Sequence, residues 1–199
     1  IVGYINCNMY DCLALGATVP VVKDDDYGAI AGNVSGGTRT NNYYHDCTVG
    51  NFYNQRDAYT VNVGTDVTVA LAGNADKTYD YNGIQRYGNA LYYDGVLYVP
   101  TTAAGNEFSL TLGNTAPAKL FDHYTATAGT LSGTANPYTL TMPDQDVTIN
   151  AHLKVPYIAA DGTTQYCADY TVIDEDLIFA KLGELGNNGQ THWYVVKGD

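Results

Sequence analysis

The chain has 199 residues, with 21 Asp and Glu against 9 Lys and Arg and a formal net charge of −12. That length suits one large domain or two small ones, and the shortage of bases sets the surface against phosphate backbones and anionic lipid, which excludes nucleic-acid binding through a basic face. No apolar run is long enough to cross a bilayer as a helix. The 19 Tyr and 21 Gly, with few of the good helix formers, favour pleated half-buried strands and positive-φ turns. The expected fold class is all-β: short β-solenoid-like repeats over 1–55, a β-sandwich over 56–153, and a small β-hairpin module over 154–199.

Ile1-Val2-Gly3-Tyr4 carries no initiator Met, basic n-region or apolar h-region, and the sequence stops just after the apolar run Trp193–Val196. The expectation is a fragment of a longer chain with its export signal upstream. Within the first fifty residues an imperfect repeat sets Ile1–Tyr4 and Asn8–Cys12 against Ile30–Asn33 and Asn42–Cys47. Ile1 and Ile30 lie 29 apart and Cys12 and Cys47 lie 35 apart, spacings that suit stacked coils, none of which buries its apolar face alone. Cys7, Cys12, Cys47 and Cys167 form no CxxC pair, which argues against structural zinc. Small buried hydrophobes are expected of them.

Tyr27-Gly28-Ala29-Ile30-Ala31-Gly32-Asn33, then Ser35-Gly36-Gly37-Thr38, then Asn41-Asn42-Tyr43-Tyr44 and Cys47 resembles the GLUG-type repeat of bacterial surface proteins. The resemblance covers about a quarter of the chain and implies a β-solenoid stalk in secreted, adhesin-like proteins. The Asp24-Asp25-Asp26 insertion departs from it and makes the period uneven.

From Arg56 to Leu153 the pattern becomes short alternating strands. Tyr59–Val63 and Val67–Leu71 alternate around Gly64-Thr65-Asp66, which predicts a hairpin. Leu91–Tyr93, Asp94-Gly95 and Val96–Val99 predict a two-residue type I′ hairpin. Phe108–Leu112, Tyr124–Thr127, Tyr138–Thr141 and Val147–Ala151 complete the strands of a sandwich. Tyr124–Gly129 followed by Tyr138-Thr139-Leu140-Thr141-Met142-Pro143 and Asp146-Val147-Thr148-Ile149-Asn150-Ala151 resembles the internalin-type B-repeat, a spacer module without chemistry of its own. In that motif Met142 is expected to cap the core and Val147 and Ile149 to face inward.

The last segment offers a third hairpin at Asp161-Gly162, a short helix over Asp174–Leu182 with Asp174 as its cap, and an Asn188-Gly189 turn into a His192–Val196 strand.

No catalytic constellation emerges. Ile1-Val2-Gly3 and Thr102-Ala103-Ala104 echo trypsin-like proteases, but Gly105 stands where the histidine belongs. His45, His123, His152 and His192 show no HxH or HxxxH spacing and are expected to be isolated. Asp122 and His123, adjacent on a strand, are expected to point to opposite faces. Glu107, Glu175 and Glu184 pair with no aspartate as glycoside hydrolysis would need. Asp24–Asp26 and the Asp144/Asp146 pair are acidic clusters without an EF-hand pattern, expected as solvated loops, with a loop-type calcium site at Asp24–Asp26 as the alternative. Tyr43-Tyr44 and Tyr92-Tyr93 each put one ring on either face of a strand, the outer one available to a carbohydrate or protein. These features predict a non-enzymatic structural or adhesive part of a secreted or cell-surface bacterial protein, without cofactor or metal. Its partners would be host glycan, host protein or neighbouring repeats. The second reading is a carbohydrate-binding module using Tyr43, Tyr44, Tyr92 and Tyr93.

Overall fold

The computed structural model describes residues 2–19, 28–48, 56–73, 76–79, 82–116, 120–159, 161–167, 170–174, 177–184 and 191–197. These residues form 22 strands and one short 3₁₀ turn, with no α-helix among them. The all-β expectation holds. Two compact units divide the chain. One is 1–63, 69–112 and 126–149, and the other 64–68, 113–125 and 150–199.

In the first unit, β1 (Val2–Asn6), β2 (Met9–Tyr10) and β3 (Leu13–Leu15) make one turn of chain; β4 (Ala31–Gly36), β5 (Arg39–Thr40) and β6 (Tyr43–His45) make the next. The turns stack strand on strand in parallel: β1 on β4, β2 on β5, β3 on β6. From Met9 over Arg39 to Thr18 over Thr48 the partners keep one offset. That register differs from the cysteine spacing read in the sequence, because it brings Asn42 to Cys12 and Cys47 to Ala17, 30 residues on in each case. The corners decide it. Asp11 and Asn41 sit at φ 55° and 52°, and Gly16 and Asp46 at 55° and 52°, so left-handed bends recur at matching places and are filled by residue types that tolerate them. Gly37, at φ 85°, lies against the Cys7 carbonyl, where a Cβ would collide.

Side chains reinforce the stack. The buried amide of Asn42 accepts from Cys12 N–H at 3.2 Å and donates to the Met9 carbonyl at 3.2 Å. Asn8 Oδ1 accepts from Thr38 N–H at 2.7 Å. Met9, Ala14, Ala29, Ile30 and Ala31 form the enclosed core, with Cys12, Tyr44 and Cys47 packed against it. The cysteines are free, and Cys7 is exposed where a buried position was expected.

β6 also pairs in parallel with β7 (Arg56–Val63). β8 (Val67–Leu71) does not fold back on β7 as a hairpin, and joins a separate four-stranded sheet. Both edges of β7 are already taken, by antiparallel β12 on one side and by parallel β6 and β17 on the other. The ladder continues with β9 (Lys77–Tyr79), β10 (Ile84–Tyr87), β11 (Ala90–Tyr93) and β12 (Val96–Pro100) in antiparallel order. Asp94 and Gly95 both take positive φ between β11 and β12, as the type I′ expectation requires. After the 3₁₀ turn at Thr101–Ala103 come β13 (Glu107–Asn114), β14 (Phe121–Ala126), β15 (Thr130–Ser132), β16 (Tyr138–Thr141) and β17 (Val147–Leu153). The four-stranded sheet runs β15, β16, β13, β8. Met142, Val147 and Ile149 are buried as their motif predicted.

In the second unit β14 pairs with β17, and β18 (Val155–Ile158) forms a hairpin with β19 (Thr164–Cys167) around Asp161-Gly162. β20 (Tyr170–Asp174), β21 (Leu177–Glu184) and β22 (Thr191–Lys197) form an antiparallel sheet. The helix expected over Asp174–Leu182 is therefore a strand end and a strand. β21 is paired on both edges, and those ladders outweigh an acidic first turn whose apolar residues run without helical spacing. Glu175, Asp176 and the Asn188-Gly189 turn lie outside the described residues.

Candidate functional site

Two polar clusters stand out, one in each unit. In the first, Asp11 is sealed at a corner between β2 and β3, its side chain 1% exposed. Asn41 Nδ2 donates to Asp11 Oδ1 at 2.8 Å, Tyr79 donates its hydroxyl to Oδ2, and the Arg86 guanidinium stands 3.6 Å from Oδ2. Arg86 is also 3.8 Å from Asp76, which accepts Gly88 N–H at 2.6 Å. The cluster fastens the first turn to the β9–β10 hairpin.

The second cluster faces solvent. β14 contributes Asp122, His123 and Thr125, β17 contributes His152, the following residue is Lys154, and β19 contributes Tyr166. Lys154 N–H donates to Leu120 C=O at one end of the pair, and Thr127 N–H to Thr148 C=O at the other, so β14 and β17 run antiparallel and bring His123 level with His152. The imidazoles stack with centroids 4.6 Å apart and planes 8° from parallel. Asp122 Oδ2 lies 3.0 Å from His123 Nδ1, and Lys154 Nζ 2.5 Å from Asp122 Oδ1. Thr125 Oγ1 is 2.7 Å from His152 Nε2. The Lys154 ammonium also rests 4.3 Å from the centre of the Tyr166 ring, which is 58% exposed. The hydrogen bond from Lys154, then that from His123, holds the Asp122 carboxyl below its ordinary range.

Two expectations are corrected here. His123 and His152 are a stacked pair and not isolated, because strand pairing joins residues far apart in sequence. Asp122 reaches His123 although they are neighbours on a strand, since alternation sets the Cβ direction but leaves the ends of exposed side chains free to curl together; both residues are exposed. The Asp122–His123 and Thr125–His152 contacts are not joined into one relay. A hydroxyl meets His152 and a carboxylate meets His123, but the rings lie face to face and exchange no hydrogen bond through their edges. What the site offers is a ring face, a shared carboxylate, an ammonium, imidazole edges and a hydroxyl.

The tyrosines singled out by sequence lie elsewhere. Tyr43 is buried, and its hydroxyl donates to the Asn89 carbonyl, with Asn41 Oδ1 3.3 Å away. Tyr44 is half-buried, its phenol pushed up by burial and then by Asp57 and Cys47. Tyr92 is half-buried and donates to the Val69 carbonyl at 2.7 Å, while burial and Asp94 push its phenol up. Tyr93 is half-buried against the cluster of Tyr43, Ala58, Ile84, Leu91 and Tyr98. The exposed tyrosine rings among the described residues are Tyr10 and Tyr166. Asp122, His123, Thr125, His152, Lys154 and Tyr166 were not chosen from sequence as a site, and a search for cross-strand partners of each histidine is the signal that finds them.

His45 Nδ1 is bonded to the Ala58 carbonyl at 2.8 Å. Asp144 accepts the Tyr59 hydroxyl at 2.8 Å and Asp146 the Thr60 N–H at 2.7 Å, so that acidic pair is tied to β7. Asp24–Asp26 lie outside the described residues, as does the side chain of His192. Among the described residues no three His, Cys, Asp or Glu side chains converge to hold a metal, and no helix is long and apolar enough to cross a membrane.

No protein-family profile matches the chain, and neither curated proteins nor solved structures yield a significant match.

Proposed function

We propose that this chain is a non-enzymatic structural or adhesive part of a larger secreted or cell-surface bacterial protein, of the kind that carries GLUG-type and internalin-type B-repeats. On this reading residues 1–55 are a short β-solenoid, 56–153 a β-sandwich spacer and 154–199 a connecting hairpin module. The observation that carries it is the parallel stacking of the first two turns, at one offset from Met9 over Arg39 to Thr18 over Thr48, with matching corners. Such stacking extends along one axis, each layer resting on the last, and suits holding something outward more than enclosing a substrate. Partners are host glycan, host protein or neighbouring repeats. Two measurements test the proposal. Pulling a single chain from its two ends is expected to give discrete unfolding steps. The chain is expected to leave a panel of glycosides, esters and peptides unchanged; turnover that disappears in His152→Ala would overturn the non-enzymatic reading.

The second reading, a carbohydrate-binding module, is favoured by the Tyr166 ring beside Lys154, Asp122 and the two histidines. A ring face with nearby donors and acceptors suits the apolar side of a sugar and its hydroxyls. It moves the binding tyrosine from Tyr43, Tyr44, Tyr92 and Tyr93 to Tyr166. A glycan array is its test, with binding lost in Tyr166→Ala and retained in Tyr92→Phe.

A further inference from the structure

We infer that the open edge of the first turn, along β1, β2 and β3, is an assembly surface whose occupant is a further turn of the same 30-residue kind, stacked in parallel and in register. The inference rests on the stacked-turn reading above and names the partner of that stack.

Among the described strands, β1 pairs only with β4, β2 only with β5 and β3 only with β6. Each therefore has a second edge that no described strand occupies. Met9 N–H and Asp11 N–H both donate toward the second turn, to Thr38 and Thr40. In a parallel ladder successive residues bond to opposite sides, so the Tyr10 backbone addresses the open edge. Natural edges are blunted by charge, proline or bulges that turn the strand away. Residues 2–19 contain no proline and one charged side chain, Asp11, which is buried. The register irregularity at Ile5/Asn6 is the one device present. Tyr10 and Leu15, on this same turn, are two of the four large apolar side chains exposed among the described residues, at 46% and 40%. This is not the polar outer face of a terminal repeat.

The corners select the occupant. A straight strand can pair with one of β1, β2 or β3. A chain that pairs with all three must bend at positions matching Asp11 and Gly16, as the second turn does at Asn41 and Asp46. Within the strands and corners themselves charge is sparse, Arg39 against Asp46 in residues 31–48 and the buried Asp11 alone in residues 2–19. The continuity is partial in one respect. Asn42 and Cys47 reach back to the first turn, to Met9, Cys12, Ala14 and Ala17, whereas the equivalent positions in the first turn are Cys12 and Ala17. An added layer would thus be held mainly by its backbone ladder, and Asn at position 12 would strengthen it.

The test duplicates residues 1–30 ahead of Ile1 in the full chain. The expected result is a higher Tm and at least about tenfold slower amide exchange at Tyr10, with a further rise in Tm when the Cys12 adjoining the added turn is changed by Cys12→Asn; the same substitution in the unduplicated chain is expected to give no rise. An unchanged Tm with Tyr10 exchanging as before would overturn the inference. So would an unduplicated chain that sediments as a dimer and becomes monomeric in Tyr10→Lys, because the edge would then belong to a second copy. Neither result bears on single-chain pulling, which tests the spacer reading separately.

Discussion

Asp11 and Asp122 have similar partners and opposite surroundings. Each carboxylate meets a basic side chain, Arg86 for one and Lys154 for the other, and each cluster includes a tyrosine, Tyr79 or Tyr166. Asp11 is 1% exposed and spends its oxygens on Asn41, Tyr79 and Arg86, while Asp122 is 32% exposed and shares its surroundings with water. Burial turns the first into a fastener, since a desolvated carboxylate must be fully paired. Exposure leaves the second with capacity for an outside ligand, at little consequence for folding. A list of interacting residues does not separate a strut from a site; solvent access does.

Asp11→Ala breaks the comparison most severely. It strands Tyr79, Asn41 and part of the Arg86 charge and leaves a non-glycine residue at φ 55°, and a loss of about 3 kcal/mol is expected in urea unfolding. Asn42→Ala comes next. Removing the buried amide leaves Cys12 N–H and Met9 C=O without its bonds, for an expected loss of about 2 kcal/mol and faster amide exchange in residues 9–15. The exposed cluster should behave otherwise: Tyr166→Ala should alter stability by less than about 0.5 kcal/mol while abolishing any glycan-array signal. A destabilisation as large as that of Asn42→Ala would make Tyr166 part of the frame and erase the contrast.

The smallest effect is in pH. Because the folded-state pKa of Asp122 is lowered, first by Lys154 and then by His123, its contribution to stability is complete above the ordinary carboxylate value of about 3.9. That contribution is lost as pH falls through the depressed value. Carboxyl NMR should show Asp122 titrating below the ordinary range, and Lys154→Ala should move its titration upward. No movement would mean that Lys154 does not hold the carboxylate in solution.

All-β character was legible in the Tyr, Thr, Gly and Asn content, and the Asp94-Gly95 hairpin and the inward Val147 and Ile149 were legible in local pattern, because turn chemistry and period-two alternation are local properties. The equivalence of Ile1–Tyr4 with Ile30–Asn33 was legible and matches the 29-residue offset of β1 on β4, but the equivalence of the later strands was not. Two cysteines 35 apart suggested an equivalence, and the positive-φ corners at Asp11/Asn41 and Gly16/Asp46 set a 30-residue offset instead. The Asp174–Leu182 segment has an acidic start that reads as a helix cap, and pairing on both edges of β21 overrode it.

By its residues alone this chain was committed to strands and tight turns, because scarce helix formers and abundant β-branched, aromatic and glycine positions leave few other ways to satisfy a backbone. Only tertiary structure decided that β8 leaves β7, that Tyr43 lies inside while Tyr166 stands in solvent, and that His123 meets His152 across 29 residues. Those outcomes depend on which strand edges were already occupied and on which strands became neighbours. Both are long-range pairings that no local window of sequence contains.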